Sequence, residues 1–205
     1  MIEGVIWFVA GCLAARAALS ALKLDKAVAV LACGGIPFHE LSHVVACLAL
    51  GIRVTSVTLL RVDGRGSPSG AVEHRGTADP YASFLVTVAP AVGALFWCWL
   101  LAWGAAAVCD AGHDVAWAWL FLYLAAATGT RSAPSAADWR VAGGEIARRP
   151  GRFLAGLGGS AAAGLACWAC GFPLAEWWHL LLLVIAVAVP GVVLSKLHGR
   201  WRGDR

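Results

Sequence analysis

The class of this protein follows from one stretch of its sequence, Ala27-Val-Ala-Val-Leu-Ala-Cys-Gly-Gly-Ile-Pro-Phe-His39-Glu40-Leu-Ser-His43-Val-Val-Ala-Cys-Leu-Ala-Leu50. The stretch is almost entirely apolar, and it exceeds the ~20 residues that a helix needs to cross a bilayer. Three ionisable side chains nevertheless lie within five positions of each other. Ionisable groups inside a membrane are costly, and they usually mark a functional site. The stretch therefore predicts a membrane helix that carries chemistry.

The rest of the chain has the same apolar character. Hydrophobic residues make up 60% of its 205 positions and charged residues 14%, whereas an ordinary soluble domain has about 25% charged residues. This composition excludes a soluble domain and a disordered chain. Six apolar segments can be drawn, at residues 2–22, 27–50, 81–108, 115–130, 153–172 and 177–197. We predict an all-α polytopic membrane protein of about six transmembrane helices, forming one membrane domain over residues 1–205.

The positions of lysine and arginine set the expected orientation. Of the 16 such residues, most lie between the second and third segments, between the fourth and fifth, and in the C-terminal tail. Six spans place these three regions on one side, which the positive-inside rule assigns to the cytoplasm. We expect an integral, multi-pass protein of the cell membrane with both termini cytoplasmic. Arg16 lies near the outer end of the first segment, where its side chain can snorkel to the interface.

One loop is expected to contain β-structure. Residues 53–62 are rich in β-branched side chains, residues 63–70 are dense in turn formers, and residues 71–74 could form a return strand. This pattern predicts a small cytoplasmic β-hairpin between the second and third helices. The edge of such a hairpin can pair with an extended peptide.

Small residues recur every four positions in the fifth segment, at Gly156, Ser160 and Gly164. A stripe of this kind lets two helices approach closely. The partner helix could belong to the same chain or to a second copy, so a homo-oligomer is one expectation.

His39, Glu40 and His43 form the pattern His-Glu-x-x-His. A helix places residues four apart on one face, one turn from each other. That spacing suits two imidazole nitrogens at about 2.0–2.1 Å from one Zn²⁺. Glu40 is then expected to act as general base, taking a proton from the water on the metal and passing it to the leaving amine.

Pro37 is expected to bend this helix. It cannot donate a hydrogen bond to the carbonyl of Cys33, and Gly34 and Gly35 loosen the same turn. Such a break is tolerated in a membrane where the backbone lines a cavity. A hydrolase needs a cavity there, because water must reach the metal.

A catalytic zinc site normally has three protein ligands, so two histidines leave one to be found. We predict Asp138, which follows the fourth segment and reaches the site if the turn at Pro134 folds back into the membrane. His74, on the hairpin, is the competing ligand. Asp63 and Asp79 are further candidates in loops.

The sequence Pro37-Phe-His-Glu-Leu-Ser-His43, followed by Val-Val-Ala-Cys-Leu-Ala-Leu-Gly-Ile-Arg-Val54, resembles the site-2 protease family of intramembrane zinc metalloproteases. Ala89-Pro-Ala-Val-Gly93 is similar to the Gly-Pro-containing helix of that family. Pro134-Ser-Ala-Ala-Asp138 occupies the place of the motif that supplies the third zinc ligand. The resemblance implies a compact, divergent member without a PDZ domain. Its metalloprotease-like core would span about residues 27–140, with additional helices at 1–22 and 153–197.

The resemblance implies a zinc-dependent metalloendopeptidase that cleaves membrane-embedded or membrane-proximal peptide segments. Zn²⁺ would be held by His39, His43 and Asp138, with Glu40 as the general base. The expected partners are a membrane protein or peptide substrate and the lipid bilayer, and no nucleic acid. The alternative is a non-proteolytic membrane protein of the same shape that binds a metal or a partner. A transporter is disfavoured, because the ionisable residues form a single cluster and no inverted repeat is evident.

Overall fold

A computed structural model of the protein describes residues 2–62, 67–75, 79–172 and 177–201. The described residues form mainly α-helices, together with one two-stranded antiparallel sheet. The helices are α1 (Ile2–Ala21), α2 (Asp25–Leu31), α3 (Ile36–Ala49), α4 (Pro80–Asp110), α5 (Val115–Thr130), α6 (Ala136–Arg148), α7 (Pro150–Ala169) and α8 (Trp177–Trp201). The strands are β1 (Val54–Val62) and β2 (Pro68–His74). The predicted helical class with a small hairpin is confirmed.

Three of the described helices are long and apolar enough to cross a membrane. They are Glu3–Ala21 within α1, the whole of α4, and Leu182–Trp201 within α8. Helices α2 and α3 pass the same test together but are bent by 54°, so they add a fourth span if the pair counts as one. Helix α5 is apolar but has only 16 residues. The described helices thus supply three or four spans, and the predicted count of six is not confirmed.

The predicted bend before the histidine motif is confirmed. Helix α2 ends at Leu31, a single 3-10 turn covers Cys33–Gly35, and α3 begins at Ile36. Pro37 lies in the first turn of α3, where the missing N–H of proline would have had no partner within the helix. The break therefore falls just before His39, and the motif lies in the first turns of a new helix.

The chain divides into two compact units. The first comprises Glu3–Arg75 and Val88–Pro134, and the second comprises Met1–Ile2, Gly76–Thr87 and Ser135–Arg205. In the first unit, α3 packs against both strands and against α5, and the 3-10 turn packs against α5. Gly35 makes this last approach possible, because a Cβ at that position would overlap the backbone of Ala127. The end of α5 is thereby brought close to the start of α3.

The hairpin extends from α3 in the first unit. Strand β1 pairs antiparallel with β2, with Val54 opposite His74 and Val62 opposite Pro68. The return strand begins at Pro68, three residues before the predicted start at residue 71. The serine, proline and glycine there had indicated a turn, but proline is tolerated as the first residue of a strand. The predicted turn at residues 63–66 lies outside the described residues.

In the second unit, buried polar contacts tie α8 to the start of α4. The Asp79 carboxylate accepts hydrogen bonds from the backbone N–H groups of Tyr81 and Ala82, and so caps α4. The hydroxyl of Ser195, which is fully buried, donates to the same oxygen at 2.8 Å. Asp79, one of the loop candidates for a metal ligand, thus has a structural role in capping α4.

The small-residue stripe packs within this unit. Ser160 and Tyr81 share a buried hydrogen bond through their hydroxyl groups. A Cβ at Gly156 would overlap the ring of Tyr81. Gly156 and Ser160 therefore serve packing inside the chain, and homo-oligomer formation stays a prediction.

Candidate metal centre

Helix α3 carries His39, Glu40 and His43, and it places the two histidines on one face, one turn apart. The rings of His39 and His43 lie edge to face, with centroids 4.9 Å apart. His43 and Glu40 are buried, with exposed fractions of 6% and 7%, and His39 is half-buried. Burying a charged carboxylate costs free energy unless it is paired or hydrogen-bonded. The burial of Glu40 beside two histidines therefore agrees with a functional cluster and not with a solvated helix face.

A hydrogen bond orients the His39 ring. Its Nδ1 lies 2.7 Å from the carbonyl oxygen of Arg131, the residue that follows α5. Because a carbonyl oxygen only accepts, Nδ1 carries the proton in this contact. The lone pair of the neutral ring is then on Nε2, the nitrogen that would bind a metal. This pairing of a ligand histidine with a backbone carbonyl is common at metal sites.

Contacts with α4 fix the rotation of α3 about its axis. The Ser42 hydroxyl donates to the carbonyl of Phe38 at 2.8 Å, and the Trp97 indole N–H donates to the Ser42 hydroxyl at 3.2 Å. The rings of Phe38 and Trp97 also pack against each other, with centroids 5.5 Å apart. Gly93 leaves room for Ser42, since a Cβ there would overlap its hydroxyl. These contacts hold the turn that carries His39 and His43.

The hairpin lies directly against the Glu40 side chain through Gly70. A Cβ at residue 70 would come within 2.5 Å of Glu40 Cγ, 2.7 Å of Glu40 Oε1 and 2.8 Å of Ile36 Cγ2. Only glycine fits at this distance without displacing the carboxylate. Strand β2 therefore packs against the Glu40 side chain, and the sequence interpretation did not predict this contact.

Asp138 lies in the first turn of α6, a helix that the sequence interpretation missed. Ser135 caps this helix: its hydroxyl accepts from the N–H of Asp138 at 3.2 Å, and the carboxylate of Asp138 accepts from the N–H of Ser135 at 2.7 Å. The backbone carbonyl of Asp138 also accepts from the hydroxyl of Thr87 at 3.2 Å. These bonds orient the carboxylate by a capping box, where a re-entrant turn had been expected.

His39 and His43 lie in the first unit and Asp138 lies in the second, so Asp138 as the third ligand stays a prediction from the sequence. Ligand atoms at ~2.0–2.2 Å from one zinc ion are about 3.4 Å apart, and the His39 and His43 rings are close enough for small side-chain rotations to reach that spacing. Two imidazoles and one carboxylate are also ligands that zinc accepts in catalytic sites. The two imidazoles of α3 therefore fit a divalent metal in chemistry and spacing, and the Asp138 carboxylate fits it in chemistry.

The structure does not favour the competing ligand candidates. Among the described residues, neither His74 nor Asp79 belongs to a group of three or more side chains placed to hold a metal. Nδ1 of His74, at the end of β2, lies 3.3 Å from the carbonyl of Arg75. Asp63 lies outside the described residues.

The chain was compared with known protein families, curated proteins and solved structures. No family model, no curated protein and no solved structure matches the chain. The assignment of the candidate metal centre therefore rests on its own residues, and the resemblance to the site-2 protease family stays an expectation from the motifs.

Proposed function

We propose that the protein is a zinc-dependent intramembrane endopeptidase of the site-2 protease type. The observation that carries the proposal is the pair His39 and His43 on one face of α3, with ring centroids 4.9 Å apart, and the buried carboxylate of Glu40 next to His39 in the same helix. Asp138 is the proposed third ligand. Two neutral imidazoles and one carboxylate supply the ligands. A separate buried carboxylate supplies the base. This division of roles is what hydrolysis at a zinc site needs.

The residues of the chain have distinct tasks in peptide hydrolysis. When bound, zinc would act as a Lewis acid and lower the pKa of water toward ~7. Glu40 accepts the proton from the attacking water as the new C–O bond forms. It then delivers that proton to the amine nitrogen as the C–N bond breaks, so the two protons of water end on the two products. One carboxylate can serve both steps, since it is protonated after the first.

The position of the site in an apolar helix supports a substrate in the membrane. The pair α2 and α3 passes the length and hydropathy test for a span, and the motif begins just after its 54° bend. A break at this depth exposes backbone that must face protein or water. We infer a water-accessible site that opens toward the cytoplasmic half, in a six-span arrangement with both termini in the cytoplasm.

Gly70 provides a test of the hairpin contact. In Gly70→Ala, the new methyl group would force the Glu40 carboxylate to move, because its Cβ would lie 2.7 Å from Oε1. A shift of about 1 Å in a catalytic group can lower the rate about 10²-fold. We expect such a loss of cleavage with zinc binding retained. The matched control is Ala71→Val on the neighbouring exposed position of β2; cleavage by Gly70→Ala at the control's rate would contradict the assigned contact.

The function itself is tested by cleavage in a defined system. The full-length protein is reconstituted in vesicles with a panel of single-span peptide substrates, and products are identified by mass spectrometry. We expect cleavage that stops when a chelator removes the metal and returns when Zn²⁺ is added back. A chain that retains zinc but cleaves no substrate of the panel would overturn the proposal. That outcome would favour the non-proteolytic metal-binding alternative.

A further inference from the structure

Arg16 is an ionisable residue inside an apolar helix, and the sequence motifs give it no task. It lies in the last third of α1, within the segment apolar enough to cross a membrane. A charge at such a position is costly and is normally paired with another group. In the structure, its guanidinium donates to the backbone carbonyl of Thr130 at 2.9 Å. The side chain is thus directed at another part of the protein.

Thr130 is the last residue of α5. The final carbonyl groups of a helix lack partners within the helix and carry partial negative charge. A guanidinium is well suited to satisfy one of them. Arg16 therefore caps α5 from a different helix and ties α1 to the end of α5.

The next residue, Arg131, forms hydrogen bonds with α5 through its backbone and with α2 through its side chain. Its backbone N–H donates to the carbonyls of Ala127 and Thr128, and its guanidinium donates to the carbonyl of Ala29 in α2 at 3.2 Å. Burial, and then the nearby Arg16 guanidinium, lower the pKa of Arg131 below its ordinary value. Residue 131 is thus fixed against α5 and α2, and its neighbour Thr130 is fixed against α1.

The carbonyl of this fixed residue is the group that accepts the His39 Nδ1–H bond. We propose that Arg16 and Arg131 are positioning residues, which hold the Arg131 carbonyl where it sets the tautomer and the ring orientation of His39. They act through His39 and touch neither metal nor substrate. The inference rests on the proposed function in that His39 is taken as a metal ligand. It assigns to α1 and α2, which supply no ligand, a role in the metal centre.

The test measures how fast zinc leaves the folded protein. Full-length wild type, Arg16→Ala, Arg16→Lys, Arg131→Ala and Arg140→Ala are purified in detergent, loaded with Zn²⁺ alone, and mixed with a chromogenic chelator. Arg140 is the matched control, since its side chain donates to a carbonyl of its own helix α6. Loss of a group that orients a metal ligand typically weakens metal binding about 10- to 100-fold. We expect Arg16→Ala and Arg131→Ala to release zinc faster by about that factor, and Arg140→Ala to match the wild type.

Arg16→Lys distinguishes positioning from general stability. A lysine keeps the charge and can still donate to Thr130, so it should restore much of the slow release. Thermal unfolding of each variant identifies those that fail to fold, and the comparison uses variants folded at the temperature of measurement. Release by folded Arg16→Ala and Arg131→Ala at the wild-type rate would overturn the inference.

A second measurement does not depend on zinc. In protein labelled with ¹⁵N-histidine and kept metal-free at alkaline pH, the nitrogen shifts of His39 report which ring nitrogen carries the proton. We expect the Nδ1–H form in the wild type and a mixture of both forms in Arg16→Ala. If the wild type binds no zinc, but the His39 tautomer still differs between wild type and Arg16→Ala, the proposed function is contradicted and the inference is supported. An unchanged Nδ1–H form in both folded arginine variants would contradict the inference alone.

Discussion

Glu40→Gln is expected to abolish measurable cleavage while the protein keeps its zinc. General acid–base catalysis by a placed side chain contributes about 10²- to 10⁴-fold to a rate, and a glutamine amide cannot accept the proton. The two side chains have nearly the same shape, so the packing of Gly70 against residue 40 should survive the change. The measurements are the initial rate on a reconstituted single-span substrate and the metal content of the same sample.

The control for this substitution is Glu73→Gln. Glu73 lies on β2 and is exposed, and its change removes the same charge from the same unit. We expect the control to cleave at the wild-type rate. Undiminished cleavage by Glu40→Gln would show that this carboxylate is not the base, whatever the metal content. Loss of zinc together with activity would show that Glu40 supports the metal instead.

Asp138→Ala is expected to lose zinc, and His74→Ala is expected to retain it. A site with two protein ligands binds zinc far more weakly than one with three, because the lost carboxylate removes both a bond and the negative charge of the set. The Ser135 hydroxyl can still accept the N–H of residue 138, so α6 should keep half of its capping box. Metal affinity is measured by competition with a chelator of known strength. Retention by Asp138→Ala with loss in His74→Ala would move the third ligand to the hairpin.

Asp138→Asn refines this comparison. The amide keeps the shape of the carboxylate but loses its charge, so the zinc affinity of this variant should fall below that of the wild type. A melting temperature near the wild-type value would show that the loss is not caused by unfolding of α6. Equal zinc affinity in Asp138→Asn and in the wild type would argue against a carboxylate ligand.

The helical and hairpin elements were predictable because each has a short-range signal. The spacing of His39 and His43 specifies one helix face, Pro37 specifies the break before it, and the β-branched run specifies β1. The six-span count was drawn from apolar composition alone. Composition does not separate a full span from a short apolar helix such as α5, with its 16 residues.

Parts of the site were missed because they depend on contacts between distant residues. Helix α6 did have local signals, since Ser135 can cap it and Arg148 favours its last turn. The region was nevertheless interpreted as a loop, because its arginines separate two apolar segments. The approach of Gly70 to Glu40 joins residues 30 positions apart in the sequence. Arg131 contributes to the site through its backbone carbonyl. Every residue has this group, so the identity of the side chain could not have indicated the contact.

If α3 carries a zinc centre, zinc should copurify with the protein. The zinc content of the full-length protein, purified in detergent without added metal, is measured by elemental mass spectrometry. His43→Ala, purified in parallel, is the comparison, since His43 is the most buried of the three ligands. We predict about one zinc per wild-type chain and essentially none in the variant. Equal zinc in both proteins, or none in the wild type, would show that His43 does not belong to a zinc centre.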